Sequence, residues 1–196
     1  MGEEPARESL RQIYTKHGMN AEETNGGTDK GHWHSYIGLY EDLLAPYREK
    51  TTSMVEIGVL YGASMMMWRD YFHNAMIYGV DVEPLTLLPQ FDGVRMDRKI
   101  CSSTDKAALD ERLGDRTFDV IIDDGSHYLE DQFITFNHMF SRLRPGGIYI
   151  IEDIESIDRD WRVLRSLGGG TAQMIDLRPV KGRHDDVIVF IRKPAA

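Results

Sequence analysis

The stretch Glu56-Ile57-Gly58-Val59-Leu60-Tyr61-Gly62 decides the fold. It closes a short apolar run over residues 54–57 and leads into an amphipathic pattern over 63–72, so the chain passes from strand through a glycine turn into helix. Gly58 and Gly62 let the backbone turn tightly and approach a ligand with no Cβ in the way. In an open α/β sheet such a turn lies beyond the carboxyl end of a strand, where ligands bind.

Outward from that turn the same alternation repeats. Apolar runs recur at 76–80, 94–96, 118–122, 148–151, 172–177 and 187–191, and helical patterns at 104–113 and 129–143 separate several of them. Short apolar strands alternating with helices imply a parallel sheet covered on both faces. The last two runs flank Pro179-Val180-Lys181-Gly182 and read as an antiparallel hairpin closing one edge. The expected fold is therefore α/β and Rossmann-like, with a seven-stranded, mostly parallel sheet, a C-terminal antiparallel hairpin and helices on both faces. That is the plan of class I methyltransferases.

Upstream, a short helix is expected around Leu10, Ile13 and Tyr14, ending at His17-Gly18. A loop, Gly27-Thr28-Asp29-Lys30-Gly31, leads to His32, Trp33 and His34, and then to a helix with Tyr36, Leu39, Tyr40, Leu43 and Leu44 on one face. Residues 1–50 are read as an N-terminal helical segment packing on a catalytic domain at 51–196, one structural domain overall.

The chain has 196 residues, 41% hydrophobic and 28% charged, the balance of a globular protein with a real core. A net charge of −9 argues against nucleic acid as a partner. The single cysteine, Cys101, excludes an intramolecular disulfide framework and fits a reducing cytoplasm. No run reaches membrane-span length, so no membrane partner is expected. A homo-oligomer is left open.

Two ends of the sheet carry chemistry. At the first, the spacing is E-x-G-x-x-x-G, whereas a dinucleotide site wants G-x-G-x-x-G for a pyrophosphate. Glu56 entering the turn suits a ligand with an ammonium group, such as the methionyl end of S-adenosylmethionine. Asp81 ends the second strand, placed to accept hydrogen bonds from a ribose diol. Ser102 and Ser103 follow the third strand, with weak support as adenine contacts, and Ser103 or Thr104 is expected to cap the next helix. Taken singly, turn glycines and a solvated strand-end acid also explain these residues.

At the second end, one strand terminates in Asp123-Asp124-Gly125-Ser126-His127 and another in Glu152-Asp153. Adjacent strands bring these acids together, and their repulsion calls for compensation. A hard divalent cation, Mg²⁺ in particular, supplies it. With Asp124, Glu152 and Asp153 available to the ion, His127 is expected to act as a base rather than as a fourth ligand.

These features resemble the sugar O-methyltransferases of macrolide and related antibiotic pathways, the macrocin and mycinamicin type. The matching residues are Thr28-Asp29-Lys30, His34, Tyr36, Glu56-Ile57-Gly58, Gly62, Gly79-Val80-Asp81, Asp123-Asp124-Gly125-Ser126-His127 and Glu152-Asp153. The resemblance implies S-adenosylmethionine and Mg²⁺ as cofactors, Asp124, Glu152 and Asp153 as metal ligands, and His127 as base with Asp124 beside it. It implies a cofactor site drawn from Thr28, Lys30, His34, Tyr36, Glu56, Gly58, Gly62, Ser64, Asp81, Ser102, Ser103 and Asp123. The implied acceptor is a hydroxyl on a sugar or glycosylated natural product. The family's Asp-Gln after the third strand is here Ser102-Ser103, and its substrate lid can correspond only to residues 154–170, with Gly168-Gly169-Gly170 as hinge. The competing readings are an NAD-dependent oxidoreductase, disfavoured by the glycine spacing, and a non-catalytic nucleoside-binding subunit, which has no need of the acids and His127.

Overall fold

A computed structural model describes residues 7–20, 26–83 and 94–196. The parts of the expected N-terminal segment at 1–6 and 21–25 lie outside the described residues. Seven strands form one sheet in the order β3-β2-β1-β4-β5-β7-β6: β1 (Ser53–Ile57), β2 (Met76–Asp81), β3 (Met96–Ile100), β4 (Phe118–Asp123), β5 (Leu143–Ile151), β6 (Gln173–Asp176) and β7 (Val187–Arg192). The first five pair in parallel, and β7 runs antiparallel to both β5 and β6. The mixed sheet with a terminal hairpin is the expected one.

Helices cover both faces. On one lie α1 (Leu10–Lys16), α2 (Asp29–His32), α3 (Tyr36–Leu44) and α4 (Ala63–Tyr71); on the other lie α5 (Lys106–Leu113), α6 (Leu129–Met139) and α7 (Ile157–Leu164). A short turn, α8 (Leu167–Gly170), and a single turn, α9 (Arg178–Lys181), complete the chain. Period-two alternation in β1 explains the two cores: Met54 packs with Leu10, Tyr40 and Trp68, while Val55 and Ile57 pack with Leu109 and Phe136. Each large side chain removed from water contributes about 1.5–3 kcal/mol. The helix α1 is fixed by a capping box, in which Ser9 and Gln12 satisfy each other's backbone N–H groups.

Several boundaries differ from the sequence reading. The third strand is 96–100 rather than 94–96, because at the sheet edge Met-Asp-Arg-Lys-Ile pairs through its backbone and needs no apolar run. The Gly27-Thr28-Asp29-Lys30-Gly31 stretch enters a helix at Asp29 instead of remaining a loop. Asp105, not Ser103 or Thr104, caps α5, its carboxylate accepting from the Ala108 N–H at 3.1 Å. Within 154–170, the stretch matched to the substrate lid, Ile154, Leu164 and Leu167 are buried with Val187, Val189 and Ile191. No helix among the described residues is long and apolar enough to cross a membrane.

Candidate active site

The β1–α4 turn is built around Gly58, whose φ is +78°. A Cβ placed there would stand 1.8 Å from the Asp124 carbonyl oxygen, so only glycine lets β1 and β4 run this close beyond their ends. The Gly58 N–H donates to the Val80 carbonyl at 2.8 Å, and the Asp124 N–H to the Ile57 carbonyl at 2.8 Å. Gly62, at φ +93°, starts α4. Asp81 then locks the turn: one carboxylate oxygen accepts from the Val59 and Leu60 N–H groups at 2.9 and 2.8 Å. Its other oxygen accepts from the Glu83 N–H at 2.9 Å.

Beside this turn opens a cavity of about 370 Å³, within the range of small-ligand sites. Gly58, Asp81, Cys101, Ser102 and Ser103 line it on one side, and Asp124, Ser126 and His127 on the other. A smaller recess against Gly58, Leu60 and Asp124 is lined by Thr28 and Ser64. Asp29, Leu60, Cys101, Ser126 and Asp131 are lining residues to which the sequence reading gives no role, although Asp29, Leu60 and Ser126 lie inside the stretches it quotes. Strand-end position marks Cys101, and nothing local marks Asp131. The hydroxyls of Ser102 and Ser103 already bond Thr104 and Thr135.

At the β4 and β5 ends the acids sort into two groups. Lys30, fully buried, places its ammonium 2.5 Å from Asp124 Oδ2, 2.9 Å from both Glu152 oxygens and 3.3 Å from Glu56 Oε1. Glu56 also accepts from the Ser64 hydroxyl at 2.6 Å and the Trp68 indole N–H at 3.1 Å, so its carboxylate faces inward and lines neither cavity. Tyr40 donates to Glu152. The second group faces the open side: His127 Nε2 lies 3.2 Å from Asp124 Oδ1 and 3.6 Å from Asp153 Oδ2. The expected trio of Asp124, Glu152 and Asp153 is thus divided, with Glu152 on the Lys30 side.

His34 and Tyr36 stand behind Asp153 rather than in either cavity. The Tyr36 hydroxyl donates to Asp153 Oδ1 at 2.5 Å, and the His34 ring stacks on Tyr36. Asp123 is buried beneath the site, accepting from the Tyr149 hydroxyl at 3.2 Å. Lys181, on the β6–β7 connection, donates to the Gly31, His32 and His34 carbonyls and clasps the end of α2.

The backbone and the charges both show strain. Leu60, His127 and Asp153 hold positive φ at 43°, 61° and 55°, a conformation that costs non-glycine residues energy and clusters at functional sites. Burial and repulsion from Asp124 push Asp153 up to about 7. Burial alone would lower the His127 imidazole, but its hydrogen bond to Asp124 and the charges of Asp124 and Asp153 raise it to about 9. Burial would likewise lower Lys30, yet the carboxylates of Asp124, Glu152 and Glu56 hold it firmly as a cation. Four carboxylates crowd one ammonium and one imidazole, and burial and mutual repulsion push Glu152 and Asp153 above the usual carboxylate range. Asp124, His127 and Asp153 offer ligand atoms within 4.8 Å of one another, so the residues present fit a divalent cation in both charge and spacing.

The chain is 34% identical over 139 residues to 8-demethyl-8-alpha-L-rhamnosyl tetracenomycin-C 2'-O-methyltransferase of Streptomyces olivaceus, covering 66% of this chain and 36% of that protein. It is 32% identical over 133 residues to mycinamicin VI 2''-O-methyltransferase of Micromonospora griseorubida, covering 63% of this chain and 32% of that one. The chain thus spans about a third of the length of the curated relatives it matches. In fold it is similar to MycE, a methyltransferase from the mycinamycin biosynthetic pathway crystallised with Mg and SAH. The TM-score is 0.72 at 22% identity, over 97% of this chain and 55% of MycE. The resemblance read from the sequence is the one these relatives show. The family described as "Methyltransferase domain" matches residues 55–154, from β1 through the Glu152-Asp153 strand end, and the chain belongs to that family.

Proposed function

We propose that the chain catalyses S-adenosylmethionine-dependent, divalent-metal-assisted O-methyl transfer to a hydroxyl of a sugar or glycosylated natural product. One observation carries the reading: a single cavity is lined at one end by the Gly58 turn, Asp81 and the two serines, and at the other by Asp124 and His127. A nucleoside held at the first end has its reactive group directed to the second. The names of the relatives support sugar hydroxyls as the acceptor class, and the Mg and SAH in MycE support the cofactors.

Asp81 accepts from the ribose diol while it anchors the turn, and Gly58 keeps the approach to the ligand free of side chain. Asp124, Glu152 and Asp153 would hold the divalent cation, Glu152 through oxygens that it shares with Lys30. When bound, the cation supplies Lewis acidity to the acceptor hydroxyl and offsets the carboxylate charge that keeps His127 protonated. His127 Nε2 takes the hydroxyl proton as the acceptor oxygen bonds to the methyl carbon. The C–S bond breaks with its electron pair left on sulfur, so a sulfonium becomes a neutral thioether and no further reactant is needed. Positioning supplies much of the acceleration, because the methyl donor is already activated.

Calorimetric titration with S-adenosylmethionine and with NAD, each with and without Mg²⁺, tests the reading. Binding of S-adenosylmethionine, followed by methylation of a rhamnosylated acceptor, is the expected result. Binding of NAD alone overturns it.

A further inference from the structure

We infer that the β6–β7 connection, residues 177–186, sets the affinity of the cavity for its nucleoside cofactor by clasping α2, with Lys181 as the positioning residue. The inference rests on the functional reading only for the identity of that ligand.

The connection is a loop closed on itself. The Leu177 N–H donates to the Asp186 carbonyl at 2.8 Å across its base, and Arg183 pairs with Asp185 at 2.9 Å within it. From there it grips the junction of α2 and α3. The Lys181 ammonium donates to the Gly31, His32 and His34 carbonyls at 2.6, 3.2 and 2.7 Å. The Arg183 guanidinium lies over the Trp33 ring, 5.3 Å from its centre. The Asp186 carboxylate accepts from the Ser35 N–H at 3.0 Å, and the Asp185 carbonyl accepts from the Tyr36 hydroxyl at 3.2 Å. Each residue from Gly31 to Tyr36 is thus met by the connection.

A helix of one turn such as α2 has little stability of its own. Its last carbonyls lack partners within the helix, and a cation is favoured there. Lys181 supplies that cation, and its hold reaches the cavity in one step. Lys181 fixes the His34 carbonyl, while the Trp33 and His34 N–H groups donate to the Asp29 carbonyl at 3.0 and 2.9 Å. Asp29 lines both the main cavity and the smaller recess, and Thr28 lines the recess. Lys30, implied as a cofactor contact by the sequence resemblance, lines neither. Lys181 also lines neither, so it acts on a ligand only through the wall that residues 28 and 29 provide.

Calorimetric titration with S-adenosylmethionine and amide hydrogen exchange, run on the wild type and three variants, test this. Lys181→Ala is expected to bind the cofactor about 10-fold more weakly, the low end for hydrogen bonds to a charged group because Lys181 is exposed to water. Lys181→Arg keeps a cation with several donors and is expected to bind within about threefold of the wild type. In Lys181→Ala the Trp33 and His34 amides should exchange at least about 10-fold faster, with those of β1 and β4 unchanged. Lys193→Ala is the control. Its lysine donates to the Phe140 and Leu143 carbonyls at 3.2 and 2.6 Å at the opposite end of the sheet, so its loss should leave cofactor affinity unchanged. Wild-type affinity in Lys181→Ala overturns the inference, whatever the exchange shows. So does a Lys193→Ala protein weakened as much as Lys181→Ala, because lost stability then explains both, and so does a Lys181→Arg protein no better than Lys181→Ala. A wild type that binds no S-adenosylmethionine overturns the functional reading instead. Exchange then decides the clasp by itself: faster exchange at Trp33 and His34 in Lys181→Ala supports it, and unchanged exchange overturns it.

Discussion

The two ends of the same cavity are made by opposite means. Around β1 and β2 the site is built from backbone: a glycine turn, N–H groups gathered by Asp81, and open space. Around β4 and β5 it is built from side chains, where Lys30, Tyr36 and Tyr40 reach in from α2 and α3 to hold Glu152, Asp153 and Asp124. A cofactor of fixed shape is met by a fixed loop, which tolerates little geometric change. A reaction centre that must hold several charges in a dry place needs counter-charges and donors from elsewhere in the chain. The first end is local in sequence. The second spans residues 30 to 153.

The sharpest way to break this contrast is Gly58→Ala, because Gly58 is where the two ends touch. Its added Cβ would overlap the Asp124 carbonyl at a positive φ, so β1 and β4 must separate. The expected loss is more than about 4 kcal/mol of stability by urea unfolding, together with both cofactor and metal binding. A folded variant that still binds metal would show the ends to be independent.

His127→Asn asks whether the charged end does chemistry or only packs. Asparagine tolerates the left-handed backbone at this position, so the turn is kept. Turnover should fall about 10²–10⁴-fold, the usual contribution of a general base, with cofactor affinity within about threefold of wild type. Normal turnover of a true acceptor would remove His127 from the mechanism.

The contrast also explains what the sequence reveals and what it hides. The Gly58 turn, Asp81 and the paired strand ends are legible because each is a local pattern of strand, turn and helix. Strand β3 is only partly legible because an edge strand carrying Arg98 and Lys99 shows no apolar run. The Lys30 cage is not legible at all. A lysine after Thr28-Asp29 reads as a loop charge or a ligand contact, and only the placing of its side chain at the ends of β1, β4 and β5 buries it among acids 26 to 122 residues away. For the same reason Glu56 reads as an ammonium partner for a ligand, whereas the ammonium it meets is the chain's own.

Asp81→Ala weakens the backbone-built end alone. It removes the acceptor for the Val59 and Leu60 N–H groups along with the expected ribose contact. Hydrogen bonds to a charged group are worth about 1.5–3 kcal/mol, so cofactor affinity should fall on the order of 10–100-fold. Mn²⁺ affinity should stay within about twofold, since Asp81 touches none of the acids. An equal loss at both ends would mean that the turn and the cluster form one cooperative unit.

Ser102→Ala is expected to do least, and the reason is specific. Its hydroxyl lines the cavity but is engaged with Thr104, whose Oγ1 lies 2.8 Å away and whose N–H donates to it at 3.2 Å. Removing it costs the loop a neutral hydrogen bond worth about 0.5–1.5 kcal/mol, part of which water in the open cavity restores. Cofactor affinity measured by calorimetry should therefore drop no more than about threefold. A loss above tenfold would mean that the hydroxyl leaves Thr104 to bond the ligand directly. The backbone-built end would then depend on a side chain for recognition, which narrows the difference between the two ends.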